Sequence, residues 1–552
     1  MKDGSKRSSS GSNADKTYEN IFSEHTHKHQ NEIQTITELQ TSIAILKGNI
    51  GPGCLALPWS FSLLGVPLGC FITISCCVLV TWNAWTLVRL KREIWGVERR
   101  GITYSDVGEN IYGSKFRIVV DISVVCVQLA VCTVFFSNMG ENLSATMQQT
   151  LQQFELVSNE NLIDILTDRR LIMLLLLPPI LVLTSVPNLK RLSPYITIAT
   201  IFMCLTFVLI AFIISNNWES GMTIWMAKHQ TWQGYLQEIE WKLVPLATCA
   251  IMYSLEGDQL ILPIESSMTN PRAFDRVLVA SMTIVGVLFC VFASSCTIAF
   301  GNVDGGSITA FLMDHRIELR LMEMFSTYQI LLVTNVIVSL SLLFTYPLQL
   351  FPAIGLMAQV VSRRDLDIEG EEGISLHTGG ASSSNGGTVI SGRGQDRGGD
   401  IQSYDNESTA LVQALDTMPN IRQSLSHDRN LSQSEGETDS KTNTFALMSG
   451  MEGDSIGLRA CLVLITFVVA IIVPRLKALI SLAGAVTGSA TSLIIPPMLA
   501  LQFIKSVGAE EGICASRKRM EIFYILLIII GWTYGLIGTV SSIQDILSNH
   551  HH

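Results

Sequence analysis

The chain has 552 residues, of which 48% are hydrophobic and only 15% are charged. Soluble domains carry about 25% charged residues, so this composition, with a mean hydropathy of +0.38, excludes an ordinary soluble protein and indicates a membrane protein. The net charge of −10 comes without a basic stripe, so we expect no nucleic-acid partner. The sequence shows no pattern of a catalytic triad, phosphate-binding loop or metal-ligand cluster, so it predicts no enzyme and no bound cofactor or metal.

Eleven apolar segments are long enough to cross a bilayer, for which about 20 mostly apolar residues are needed. They predict an all-α, polytopic membrane protein in contact with membrane lipid. Lys and Arg are more frequent in the loops on one side of these segments, and the positive-inside rule places that side, with the N-terminus, in the cytoplasm. Asn142 begins a glycosylation sequon in a predicted outer loop and is a glycosylation candidate. The predicted membrane segments are 39–62, 66–90, 118–139, 170–187, 193–215, 242–265, 276–300, 325–357, 457–474, 477–503 and 521–541.

Two polar segments precede or divide the apolar ones. Gly, Ser, Asp and Glu dominate residues 359–456, and such a composition cannot bury enough apolar surface to offset its ordering entropy. The long loop is either a tolerated insertion or a regulatory segment that carries phosphorylation sites. The predicted organisation is a disordered cytoplasmic N-terminal tail at 1–38, transmembrane helices 1–8 at 39–358, a disordered cytoplasmic loop at 359–456, transmembrane helices 9–11 at 457–541 and a short non-cytoplasmic tail at 542–552.

The first and sixth apolar segments are interrupted at their centres by loop-type residues, at matching places in the two halves of the chain. The interruptions are Lys47-Gly48-Asn49-Ile50-Gly51-Pro52-Gly53 and Tyr253-Ser254-Leu255-Glu256-Gly257-Asp258. Gly and Pro unwind helices, and unwound backbone persists in a bilayer only where it is buried in protein or lines a cavity. Paired interruptions of this kind are typical of the binding site of a transporter.

These stretches resemble signature motifs of the amino acid/auxin permease family, in particular those of proton-assisted and vacuolar amino acid transporters. The similarity is carried by residues 47–58, 253–271 and 472–497. It implies a five-plus-five inverted repeat of the bacterial leucine-transporter fold, with helices 1 and 6 broken and the eleventh helix outside the repeat. Several proton-coupled relatives have a histidine shortly before the Lys-Gly-Asn motif, where this chain has Ala44. That departure leaves sodium coupling or exchange open.

An amino acid substrate carries a carboxylate and an ammonium, and each charge needs a partner in a dry site. The first break frees backbone N–H groups at the positive end of a half-helix, which suits a carboxylate, while carbonyls freed at the second break suit the ammonium. The alternative is that these glycines are close-packing points between helices. The predicted substrate-binding residues are Gly48, Asn49, Ile50, Gly51, Pro52, Gly53, Cys54, Met252, Tyr253, Ser254 and Gly257.

Glu256 is an ionisable residue in the middle of an apolar segment, which is rare and is by default a functional hypothesis. Burial favours the neutral form of a carboxyl group, so a group that is neutral in one state and charged in another could couple proton movement to substrate movement. Asp258 could share this role, and both are predicted proton-coupling residues. The alternative is that Glu256 permanently holds helices 1 and 6 together through Lys47 or Asn49.

The sequence therefore predicts a secondary active transporter of small neutral amino acids, coupled to protons and working by alternating access. Its membrane is predicted to be vacuolar, lysosomal or plasma membrane. Two other classes remain open: a membrane sensor that binds an amino acid without moving it, and a carrier of an auxin-like acid or an amine transmitter.

Overall fold

Helices joined by short turns and loops make up the described part of the chain. The computed structural model describes residues 36–154, 159–186, 189–231, 234–235, 237, 239–315, 325–375, 456–473, 475–507 and 515–548. Within these ranges the extended pairing is limited to an isolated bridge between Ile36 and Met268, so the all-α prediction is confirmed for them. Residues 1–35 and 376–455 lie outside the described residues, and with them most of the two segments predicted to be disordered.

Seventeen α-helices are labelled here in chain order. They are α1 (Glu38–Asn49), α2 (Pro52–Leu64), α3 (Val66–Trp95), α4 (Tyr104–Tyr112), α5 (Ser114–Gln153), α6 (Glu160–Thr167), α7 (Arg169–Thr184), α8 (Leu189–Lys228), α9 (Val244–Ser254), α10 (Asp258–Ser267), α11 (Phe274–Phe300), α12 (Ile308–Asp314), α13 (Phe325–Ser375), α14 (Ile456–Ile472), α15 (Leu476–Ala483), α16 (Ile495–Val507) and α17 (Ala515–Ser548). A 3₁₀ turn (Pro271–Ala273) precedes α11, and a π-helix (Gly484–Ile494) joins α15 to α16.

Seven stretches of the described chain are long and apolar enough to cross a membrane, judged by length and composition. They are Val66–Trp95, Ser114–Gln153, Pro194–Lys228, Pro271–Phe300, Tyr328–Ala358, Leu476–Val507 and Arg517–Ser548. The other four predicted segments coincide with shorter helices: α7, α14 and the two broken pairs α1–α2 and α9–α10. The molecule is thus a polytopic membrane protein, while the count of eleven crossings stays a prediction.

The long helices expose apolar side chains on the outside of the bundle. On α3, Phe71, Ile74 and Val78 are 68%, 54% and 62% exposed, and their spacing of three and four residues places them on one helix face. On α17, Leu526 and Ile529 are also exposed. Exposed apolar surface of this kind marks a face that meets lipid or another apolar partner, in agreement with the composition.

The helix α5 is much longer than the segment predicted at 118–139, and this corrects the expectation for Asn142. Instead of lying in an outer loop, Asn142 is fully buried in α5. Its Nδ2 donates to Asn138 Oδ1 at 2.8 Å, and its Oδ1 accepts from Ser307 and Thr309 at 2.9 and 3.0 Å. A glycan has no room at this position, because the amide joins α5 to the segment that begins α12. Similarly, α13 continues to Ser375, beyond the predicted boundary at 358.

A buried ion pair fixes the second half of the second broken helix to α3. Lys91 Nζ of α3 lies 2.9 Å from Glu265 Oε2 of α10, and the two side chains are 1% and 0% exposed. Arg92 lies 3.4 Å from the same carboxylate and 2.9 Å from Asp275 of α11. A carboxylate shared by two cations is well compensated for its burial, so this cluster holds α10 in one position relative to α3.

We expect Glu265→Gln to destabilise the folded protein by about 3–5 kcal/mol, because it leaves the Lys91 ammonium buried without its carboxylate. Thermal unfolding of the detergent-solubilised protein measures the effect. The double variant Lys91→Met with Glu265→Leu should recover much of the loss, since neither charge then remains. Glu98→Gln is the control, because Glu98 pairs with Arg272 at a site where both side chains are largely exposed. Equal stability of Glu265→Gln and wild type would contradict the role of this ion pair.

Candidate functional site

The first break lies between α1 and α2. Ile50 and Gly51 are extended there, with φ/ψ of −85°/93° and −139°/−163°. Pro52 occupies the first turn of α2 and no side chain caps that helix. Proline has no N–H and the Cys54 N–H donates to the Gly51 carbonyl at 3.2 Å, so the Gly53 N–H is the first N–H group of α2 that is left for another acceptor. The Cys54 thiol donates to the carbonyl oxygen of Gly51 at 2.7 Å, which holds the turn in place.

The second break lies between Ser254, the end of α9, and Asp258, the start of α10. Its turn is closed by backbone bonds from Leu255 N–H to the Met252 carbonyl at 3.0 Å and from Glu256 N–H to the Tyr253 carbonyl at 3.3 Å. The Met252 and Tyr253 carbonyls therefore each accept one hydrogen bond already and retain one lone pair. They are available to an ammonium only as second acceptors.

The two breaks meet each other, and their glycines differ in surroundings. A Cβ at Gly257 would lie 3.5 Å from Asn49 Nδ2, so the breaks abut there. A Cβ at Gly53 would lie 2.9 Å from Tyr253 Cδ1 and 3.0 Å from Ser254 Cα, whereas a Cβ at Gly51 would meet nothing within 4 Å. Gly53 is thus a close-packing point, as the alternative interpretation holds, but Gly51 borders open space.

Glu256 is held by a third element that the sequence interpretation missed. Its side chain is buried, and its Oε2 and Oε1 accept hydrogen bonds from Thr487 and Thr491 at 3.1 and 3.2 Å. Both threonines belong to the π-helix Gly484–Ile494. Within the described residues, Glu256 makes no hydrogen bond to Lys47 or Asn49. The structure therefore does not show the alternative in which Glu256 bridges helix 6 to helix 1 through these residues.

Asp258, the first residue of α10, is also buried, at 2% exposure. The hydroxyl of Ser492 lies near its carboxyl but, among the described residues, makes no hydrogen bond of good geometry. Among the described residues, Asp258 Oδ2 has no hydrogen-bond partner of good geometry. Tyr104 donates to the Thr491 carbonyl at 2.9 Å and Asn83 to the Ser492 carbonyl at 2.6 Å, so neighbouring helices fix the π-helix against both carboxyls.

Packing of the π-helix on α9 brings these parts together. A Cβ at Gly488 would lie 3.3 Å from Met252 Cγ, and a Cβ at Gly484 would clash with the carbonyl oxygen of Cys249. The structure therefore unites both predicted breaks with Glu256 and Asp258. It adds Thr487 and Thr491, whose spacing of four residues on one face of a helix was a usable signal in the sequence.

The fold and the site define a class of protein: a polytopic helical bundle in which two broken helices adjoin and a buried acid lies at their junction. The chain belongs to the transmembrane amino acid transporter protein family, whose model matches residues 34–541. The resemblance to amino acid/auxin permeases is thereby confirmed, and the chain is a member of a family of transporters, not of enzymes.

Individual relatives are distant. The chain is 24% identical over 285 residues to the proton-coupled amino acid transporter-like protein pathetic of Drosophila melanogaster. The aligned residues make up 50% of this chain and 56% of that protein. The chain is 26% identical over 320 residues to vacuolar amino acid transporter 3 of Saccharomyces cerevisiae, covering 57% and 41%. A third, amino acid transporter AVT3C of Arabidopsis thaliana, is 24% identical over 345 residues, covering 59% and 71%. The match thus spans about half the length of the first two relatives.

Proposed function

We propose that this protein is a secondary active transporter of small neutral amino acids that couples their movement to protons by alternating access. The observation that carries the proposal is the junction of two helix breaks beside the buried carboxyl of Glu256. Family membership supports amino acid transport, and the names of two relatives contain the words proton-coupled and vacuolar.

The first break supplies the site for the substrate carboxylate. The start of α2 has no side-chain cap, and a helix N-terminus carries a partial positive charge with free N–H groups. Open space at Gly51 lets a ligand approach this backbone. The substrate ammonium then lies towards the C-terminal end of α9, where the remaining lone pairs of Met252 and Tyr253 and the negative end of the helix dipole favour a cation.

The surroundings of Glu256 support proton coupling. Its two direct hydrogen-bond donors, Thr487 and Thr491, are neutral, and a buried carboxylate without a positive partner is costly. Binding or release of a proton at Glu256 therefore changes the free energy of this site much more than it would change that of a carboxyl group in water. Protons are the proposed coupling ion, and sodium is the other candidate.

The same proposal includes an arrangement in the membrane. It has eleven crossings, with helices 1–5 and 6–10 as an inverted repeat, a cytoplasmic N-terminus and a vacuolar, lysosomal or plasma membrane as location. The placement of the two broken pairs, α1–α2 in the first half and α9–α10 in the second, supports the repeat.

Counterflow in liposomes that contain the purified protein tests the function. We expect saturable exchange of labelled small neutral amino acids, and accumulation of the same substrates when an inward proton gradient is imposed. A panel that includes charged and aromatic amino acids, an auxin-like acid and an amine, measured at two pH values, defines the substrate class. Binding without flux would identify a sensor instead, and accumulation that follows a sodium gradient alone would contradict proton coupling.

A further inference from the structure

Two threonine hydroxyls at the site each lie near two acceptors. Thr487 Oγ1 is 3.1 Å from Glu256 Oε2 and 2.7 Å from the carbonyl oxygen of Ala483. Thr491 Oγ1 is 3.2 Å from Glu256 Oε1 and 2.8 Å from the carbonyl oxygen of Thr487. A hydroxyl has a single proton to donate, so each threonine must divide it between the carboxyl group and its own helix.

The division depends on the charge of Glu256. A carboxylate accepts hydrogen bonds only, and bonds to a charged acceptor are about twice as strong as neutral ones, so both hydroxyls then donate to Glu256. A neutral carboxyl has an O–H of its own to donate. One threonine oxygen then becomes an acceptor, and its proton returns to the carbonyl four residues earlier.

The helix concerned is suited to respond to this exchange. Threonine bonds to the carbonyl four residues back bend helices, and π-helical segments are rare and frequently functional. Here the carbonyls involved, those of Ala483 and Thr487, lie at the start and within the π-helix Gly484–Ile494. Gly484 and Gly488 pack directly on α9, which is the first half of the second broken helix. If the curvature of the π-helix changes, the π-helix therefore shifts against α9.

We propose that Thr487 and Thr491 are positioning residues that transmit the protonation state of Glu256 to the π-helix. The inference rests on the proposed proton-coupled transport. In the charged state the two hydroxyls tie the π-helix to the break. In the neutral state at least one of them bonds its own backbone, and the tie between the π-helix and the break weakens.

The other titratable groups around Glu256 make a different kind of contact. Asp258 of α10 acts on Glu256 through charge, and the neutral phenols of Tyr253 of α9 and Tyr534 of α17 lie close enough to be affected by the charge of Glu256. The hydrogen bonds to the two oxygens of Glu256 come from the threonines. Removing a threonine hydroxyl therefore withdraws a direct donor from the carboxylate and leaves Asp258 and the two phenols in place.

The test uses Thr487→Val and Thr491→Val in the full-length protein, reconstituted in liposomes. Valine keeps the branched shape and removes the hydroxyl. The readout is the pH at which proton-driven uptake is half maximal, together with substrate exchange at fixed pH. We expect this pH to move upward by about one unit for each hydroxyl removed, about tenfold in proton affinity, because the charged form loses a donor.

Three further variants separate this coupling from packing. Thr487→Ser and Thr491→Ser keep the hydroxyl and should restore the wild-type pH midpoint. Ser489→Ala is the matched control in the same π-helix, because Ser489 bonds to the carbonyl of Ala485 and not to Glu256, and it should leave the midpoint unchanged. Thr→Cys variants, which keep volume but donate weakly, serve if a valine variant does not reconstitute, and should shift the midpoint in the same direction.

The outcomes distinguish this inference from the proposed function. Suppose that wild-type uptake has a measurable pH midpoint and that the valine variants are slower at every pH but keep that midpoint. The threonines then only support packing, and this inference is overturned while the proposed transport stands. Serine variants that shift as far as valine would overturn it as well. A wild-type protein that neither exchanges nor accumulates any substrate would overturn the proposed function, and this inference with it.

Discussion

Gly51→Ala should reduce substrate uptake by about tenfold or more while the folded protein remains as stable as wild type. The backbone at Gly51 is extended, with φ of −139°, so alanine adopts it without strain. A Cβ there meets nothing within 4 Å in the structure, so the substitution does not disturb packing. It does fill the space beside the first N–H groups of α2, and a lost hydrogen bond to a charged ligand costs about 1.5–3 kcal/mol, which is tenfold or more in affinity.

Two glycine variants serve as controls for this prediction. Gly457→Ala in α14 also meets nothing within 4 Å but lies far from the breaks in the chain, so uptake and stability should both be unchanged. Gly53→Ala places its Cβ 2.9 Å from Tyr253 and 3.0 Å from the backbone of Ser254, so it should lower the unfolding temperature as well as uptake. Wild-type uptake by a stable Gly51→Ala protein would remove Gly51 from the binding site.

The contrast between Gly51 and Gly53 shows what the sequence could and could not establish. Unwinding at both breaks was predictable, because Gly and Pro within apolar segments disfavour helix and the two interruptions fall at matching places. Which glycine packs against a neighbour and which borders open space was not predictable. That depends on where α9 lies relative to α2, and one sequence does not contain this distance.

Errors in the sequence interpretation arose where helices extend beyond their apolar part. The sequence predicts a loop at Asn142 because polar residues follow the apolar stretch of α5, yet the helix continues to Gln153 and the amide is buried against Ser307 and Thr309. The sequence also offers Lys47 and Asn49 of helix 1 as alternative partners of Glu256, and it does not indicate the observed ones. The donors to Glu256 are threonines more than 200 residues away, in a π-helix (Gly484–Ile494) whose polar side chains are all hydroxyls.

Glu256→Gln should abolish proton-driven accumulation of substrate and preserve exchange of one substrate molecule for another. Glutamine has the size of the neutral acid and cannot ionise, so the variant remains in the state that corresponds to a bound proton. Its amide oxygen still accepts from one threonine, and its NH₂ group donates to the other threonine oxygen, so the junction with the π-helix is retained. Reconstituted vesicles with an imposed pH gradient measure both activities in one preparation.

The result separates a coupling role of Glu256 from a structural one. If Glu256 were only a structural partner, the glutamine variant would lose affinity or stability, while the pH dependence of its residual flux would match that of wild type. A variant that still accumulates substrate with the wild-type pH response would end the proton-carrier role of Glu256. The role would then pass to Asp258, which is also buried and has a carboxylate oxygen without a hydrogen-bond partner of good geometry in the described part of the chain. Asp258→Asn is therefore the companion variant. If Glu256 carries the proton, the Asp258→Asn protein should still accumulate substrate in response to the proton gradient.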